Sequence, residues 1–187
     1  MNYNLRISLD LDGVLCDFES GYLKRFKKWP NYDWAITWNV SIILILEREF
    51  WLNLPVLNEV NFQPKMYCSA RVNPKRWTKQ YLRDNNFPEA PLFQVPGYKL
   101  SKYKILKGRC DVHIEDSVKN FLDLNSKGVP CLLLNNETNA HLGPILRIYT
   151  LDKDEILDTY YLAKESGIFD EFDKIFNLWL LILIYQQ

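Results

Sequence analysis

Two carboxylates stand two residues apart in the run Asp10-Leu11-Asp12-Gly13-Val14-Leu15. If the strand stays extended, side chains at i and i+2 point the same way, so Asp10 and Asp12 share a face. Gly13 then lets the chain turn sharply. A second acidic pair, Glu115-Asp116, ends another apolar run, so up to four carboxylates can converge. Like charges so close repel unless a cation neutralises them. A hard divalent ion such as Mg²⁺ suits an all-oxygen site. A carboxylate on such a metal can also act as a nucleophile toward phosphorus. An isolated D-x-D would read as an ordinary turn; the matching elements downstream favour chemistry.

The elements that must position these residues alternate. Short apolar runs at 5–9, 65–68, 91–95, 111–114, 130–134 and 147–151 read as strands. Between them, 18–28, 40–52, 74–85, 102–107 and 118–126 read as helices, and another begins near Asp152. Trp77, Tyr81 and Leu82 share one helical face behind Pro74, and Gly128 closes the helix over 118–126. Strands alternating with helices imply an α/β fold with a parallel sheet. In such sheets ligands bind beyond the carboxyl ends of the strands. Asp10 and Asp12, Ser69, and Glu115 with Asp116 all stand at those ends.

These residues resemble the haloacid dehalogenase superfamily, which is mostly Mg²⁺-dependent phosphatases. The resemblance spans Leu5 to about Leu134. It implies a three-layer Rossmann-like core over 1–17 and 65–187, with a small helical cap over 18–64 inserted after the first motif. It implies Asp10 as the nucleophile that forms an aspartyl-phosphate. Asp12 becomes the general acid, then the base that activates water, and its backbone carbonyl helps hold Mg²⁺. Ser69 fits the second motif, hydrogen-bonding the phosphoryl oxygen. Glu115-Asp116 fits the fourth, with Asp116 as direct metal ligand and Glu115 as second ligand or outer partner; the family more often has Asp-Asp there. The third motif is a lysine that neutralises the nucleophile and phosphate. Lys99, Lys102 and Lys104 compete for it, and Lys102, which opens a short helix, fits best.

Phosphoryl transfer is largely positioning and charge neutralisation. A metal ion, one lysine, Ser69 and the backbone N–H groups after Asp10, from Gly13 among others, are parts enough. No histidine is needed. His113 lies inside a strand, where a packed or edge-strand role is expected, and His141 lies in a polar loop.

The run from Asp10 to Glu19, with Phe50-Trp51 and Leu54-Pro55, is similar to the 5′(3′)-deoxyribonucleotidase group. That likeness implies a small nucleotide-like phosphate as substrate, with Phe18 and Trp51 at the base, where aromatic stacking is apt. Ordinary packing of both rings is the competing expectation. Ser117 follows the acidic pair where those enzymes tend to have Arg, and Ser69-Ala70-Arg71 replaces their Thr-Ser-Pro. Ser69-Ala70-Arg71 is similar instead to the Ser/Thr-Gly-Arg of polynucleotide 3′-phosphatases, which makes Arg71 a candidate for phosphate or carboxylate contact. Lys75, Arg76, Lys79 and Arg83 on the next helix could then follow a nucleic acid backbone. A third reading is a non-catalytic binding protein on the same fold.

The chain has 187 residues and no net charge, with 23 basic and 23 acidic residues. A generic polyanion binder is disfavoured. The charge is nevertheless segregated: net −2 over 1–64, +9 over 65–109 and −7 over 110–187. Four cysteines without a C-x-x-C pair argue against zinc and suit buried thiols in the cytoplasm. No signal peptide is read at the N-terminus. Neither the apolar run 42–46 nor the tail over 175–185 reaches the roughly 20 residues a spanning helix needs, so no membrane partner is expected. The tail reads as a terminal helix packing on the domain, or on a second copy of the chain.

Overall fold

The computed structural model describes residues 4–27, 46–95 and 101–174. The apolar residues 42–45, Lys99 and the tail over 175–185 lie outside the described residues. Six strands form one all-parallel sheet: β1 (Ile7–Leu9), β2 (Met66–Ser69), β3 (Leu92–Gln94), β4 (Val112–Glu115), β5 (Cys131–Leu134) and β6 (Arg147–Ile148). Their order is β3-β2-β1-β4-β5-β6. The described α-helices are α1 (Phe18–Phe26), α2 (Arg48–Leu52), α3 (Lys75–Asp84), α4 (Tyr103–Leu106), α5 (Val118–Ser126) and α6 (Lys153–Glu165). Every residue of β1, β2, β4 and β5 is buried, which explains why these strands read as continuous apolar runs.

Local chemistry sets the helix starts. Asp17 caps α1 by accepting the Ser20 N–H at 2.9 Å. Asp152 caps α6 by accepting from the N–H groups of Asp154 and Glu155. On α3, Trp77, Thr78, Tyr81 and Leu82 are buried, the face expected from spacing. Two expectations shift. The sixth strand is shorter than 147–151, because the N–H groups of Tyr149 and Thr150 donate to the Glu155 carboxylate at 2.8 and 2.9 Å instead of extending the sheet. The helix expected over 40–52 does not run through Glu47, whose φ of −92° and ψ of 84° are not helical; α2 starts after it.

The chain between α2 and β2 returns along the loop after β1. The Asp17 N–H donates to Pro55 O at 2.9 Å, and the Leu57 N–H to Leu15 O at 2.9 Å. Asn58 adds a bond to Val14 O at 2.7 Å. The segment that follows the D-x-D run is therefore stitched to it. All four cysteines are free and buried. Among the described residues, no helix is long and apolar enough to cross a membrane.

Candidate active site

The strand order places the reversal of chain direction across the sheet between β1 and β4. Register then does the rest. Leu9 lies opposite Ile114 and opposite Tyr67, so the residues that end or follow β1, β4 and β2 emerge side by side. They are Asp10 and Asp12, Glu115 and Asp116, and Ser69. These crevices outside carboxyl strand ends are the ligand sites of open α/β sheets.

Asp10 is buried and tied to β4 by its own N–H, which donates to Ile114 O at 3.0 Å. Its Oδ2 pairs with Lys102 Nζ at 2.8 Å. Its Oδ1 is buried with no hydrogen-bond partner among the described residues, and so is Ser69 Oγ. Buried polar atoms are normally satisfied, so two orphans at one strand-end cluster point to a missing polar ligand. Lys102, the residue before α4, reaches a second carboxylate, Glu115 Oε1, at 2.5 Å. Lys104 is exposed. The lysine on the nucleophile candidate is thus Lys102.

Glu115 is fully buried and fully occupied. Oε1 also accepts from Asn120 Nδ2 at 2.8 Å, and Oε2 accepts from the N–H groups of Asp116 and Ser117 at 3.2 Å each. One carboxylate oxygen each from Asp10, Glu115 and Asp116 lie within 4.8 Å of one another, a grouping that could hold a metal ion. Asp12 stands outside that grouping. Because the Glu115 oxygens already accept several donors, Asp10 and Asp116 are the members with free coordinating capacity.

The charges show the strain of this crowding. Burial, then the Glu115 charge, pushes Asp10 well above the ordinary carboxyl range, while Lys102 opposes the rise. Asp116 is pushed up to about 8, first by burial and then by Glu115. For Glu115 burial acts upward, but Lys102 and His113 together outweigh it and hold the group ionised. Burial acts against the Lys102 charge, and Asp10 and Glu115 overcome that as well. One lysine among three close carboxyls leaves the site short of positive charge, and the donor set is all oxygen. Both observations fit a hard divalent cation.

Gly13 carries φ +77°, and its N–H donates to Cys16 O at 2.9 Å to close a tight turn. A Cβ there would lie 1.9 Å from Asp116 Oδ2. The turn and the β4 carboxylate therefore need glycine for two separate reasons.

Asp10, Asp12, Gly13, Ser69 and Asp116 line one cleft of about 1050 Å³. Phe18 and Leu23 of α1, with Leu57, give it apolar surface; Lys119, Asn120, Asn136 and Glu137 also line it. Two of the substrate-contact expectations are placed elsewhere. Trp51 is buried, packed on Phe18 and Phe50 with ring centroids 5.7 and 5.2 Å away, and does not line the cleft. Arg71 does not line it either: its guanidinium binds the Asp12 carboxylate, with Nη2 to Oδ1 at 2.7 Å. The attraction of a buried guanidinium for the nearest carboxylate decides this. Lys75, Arg76, Lys79 and Arg83 also lie outside the cleft lining.

Sequence reasoning missed three supporting residues. Asn120 holds Glu115, as described. Cys16 accepts from Arg71. Asn139, fully buried, donates to the carbonyls of Asp116 and Leu134 and accepts from Arg147, which ties the loop after β5 to the end of β4. None carries a motif; each is set only by tertiary contact. His113, expected in a packed or an edge-strand role, is packed: it lies in β4 between β1 and β5, fully buried, with Nδ1 3.1 Å from Ser8 Oγ. No protein-family profile matches the chain, and no curated protein matches it.

Proposed function

We propose that this chain is a phosphomonoester hydrolase of the haloacid dehalogenase type, dependent on Mg²⁺, with Asp10 as nucleophile. The observation that carries the reading is the pair of unpartnered buried oxygens, Asp10 Oδ1 and Ser69 Oγ, beside a buried Lys102. The ion, held by Asp10 and Asp116 with the Asp12 carbonyl, would neutralise phosphate charge and steer the phosphorus toward Asp10. In the first half-reaction an Asp10 oxygen bonds to phosphorus and the ester P–O bond breaks. The leaving oxygen takes a proton from Asp12. In the second, water gives a proton to Asp12 and bonds to phosphorus, and the bond to Asp10 breaks to release phosphate. Ser69 donates to a phosphoryl oxygen. Lys102 offsets its charge, and Glu115 with Asn120 keeps that lysine in place.

The substrate proposed is a small nucleotide-like monophosphate. Phe18 offers a partly exposed ring on the cleft wall for a base. The residues over 18–64, of which α1 and α2 are described, are read as the cap. Asp17, Glu19 and Glu137 line the cleft with Lys119 as its single lining cation among the described residues, so a polyanion is disfavoured and a nucleic acid end fits less well. Hydrolysis of p-nitrophenyl phosphate with Mg²⁺ by wild type, lost in Asp10→Asn, is the expected result. No turnover by wild type across a panel of monophosphates overturns it in favour of a binding protein. Comparing dUMP and dTMP with a 3′-phosphorylated oligonucleotide tests the substrate; preference for the oligonucleotide, steeply weakened by salt, overturns the nucleotide choice.

A further inference from the structure

The second carboxylate is not free. Arg71 Nε lies 3.1 and 3.0 Å from the two Asp12 oxygens, and Nη2 lies 2.7 Å from Oδ1. Nη2 also donates to Cys16 Sγ at 2.6 Å. The Arg71 side chain is wholly buried, whereas Asp12 keeps 29% of its side-chain surface exposed at the cleft. Behind Arg71 stand two rings. The guanidinium carbon lies 5.1 Å from the Trp51 ring and 5.7 Å from that of Tyr81. Trp51 belongs to α2, inside the segment between the D-x-D run and β2; Tyr81 belongs to α3.

A guanidinium fork fixes the plane of a carboxylate, which a lysine point charge does not. An aromatic face attracts the same guanidinium from behind. We propose that Arg71 is a positioning residue that aims the Asp12 carboxylate at the leaving oxygen, and that Trp51 in turn holds Arg71. The inserted segment thereby sets where the second carboxylate stands. This inference rests on the phosphatase reading of the site. It assigns Arg71 to the proton-transfer group and not to the phosphate.

The test is leaving-group dependence. A p-nitrophenolate departs without a proton, whereas an alkoxide needs one, so only the second substrate depends on an aimed acid. kcat/KM is measured with Mg²⁺ on p-nitrophenyl phosphate and on an alkyl phosphate. Arg71→Met is expected to lose about 100-fold on the alkyl ester, the lower end of what general acid catalysis contributes, and about 10-fold less on the aryl ester. Arg71→Lys is expected to recover part of the differential, and it carries the comparison if Arg71→Met does not fold. Trp51→Leu is expected to shift the ratio in the same sense by a smaller factor. Equal losses on both esters overturn the inference, because a phosphate contact or a merely structural ion pair would produce them. An unchanged ratio in Trp51→Leu overturns the link to the insert. If wild type hydrolyses neither ester, the phosphatase reading fails and takes the inference with it. If hydrolysis depends on Asp10 but no differential is seen, the inference alone falls.

Discussion

Lys102 is the residue on which the buried charges depend. It pairs with Asp10 and Glu115 while only 2% of its side chain is exposed. Removing one partner from a buried ion pair leaves an uncompensated charge, at a cost of about 3–5 kcal/mol. Lys102→Met is therefore expected to lose roughly that much stability in a urea titration, besides its activity. Asp10→Asn is expected to behave in the opposite way. It relieves a carboxyl crowded by burial and by Glu115. The variant should be inactive yet melt no lower than wild type in a thermal scan. A buried carboxyl kept at some cost to stability fits the trade-off between stability and activity that the proposed role of Asp10 would entail.

At the scale of elements, the turn after β1 and the end of β4 act as one unit. Gly13→Ala combines a φ of +77° with a Cβ 1.9 Å from Asp116 Oδ2, so Asp116 must move. The expected result is a loss of Mg²⁺ binding by calorimetry, larger than any loss of helix content by circular dichroism. The same two strands are joined at their other end by Arg6 and Asp111, whose side chains bond at 2.7 Å. Burial acts to raise Asp111, but hydrogen bonds from Arg6 outweigh it and its pKa is lowered. A lowered carboxyl contributes stability above its unfolded value of about 3.9 and loses it as pH falls through the lower folded value. Asp111→Asn should therefore melt lower than wild type at pH 6, and the gap should narrow as pH falls below the unfolded value of about 3.9.

For the whole molecule, the segregated charge acquires a geometry. The acidic flanks supply Asp10, Asp12, Glu115 and Asp116, and the basic middle supplies Lys102 and Arg71. The sheet order brings these distant segments to one edge. Asp116 is raised to about 8, chiefly by burial. A raised carboxyl lowers stability above its unfolded value, and the penalty grows until pH reaches the folded one. A bound cation removes that penalty, and a proton competes with it. The rise in Tm produced by Mg²⁺ should therefore grow from pH 6 to 8.5, and it should vanish in Asp116→Asn at every pH.

The D-x-D-G run, the strand-end serine, the lysine opening α4 and the acidic pair were all legible in the sequence. So was the alternation of strands and helices, because periodicity and turn residues act locally. Where two residues compete for one role, only tertiary contact decides. Lys102 and Lys104 are both plausible from spacing, but only Lys102 enters the gap between Asp10 and Glu115. From its place beside Ser69, Arg71 could meet a phosphate or a carboxylate, and the fold gives it the carboxylate, Asp12, with two aromatic rings behind it. Glu115, expected as second metal ligand or outer partner, takes donors from Lys102, Asn120 and its own following turn while keeping one oxygen within the grouping with Asp10 and Asp116. The sequence alone thus determined which groups meet at the sheet edge. The tertiary structure decided which partner each takes, because hydrogen-bond and charge pairing depend on distances that close only when the chain has folded.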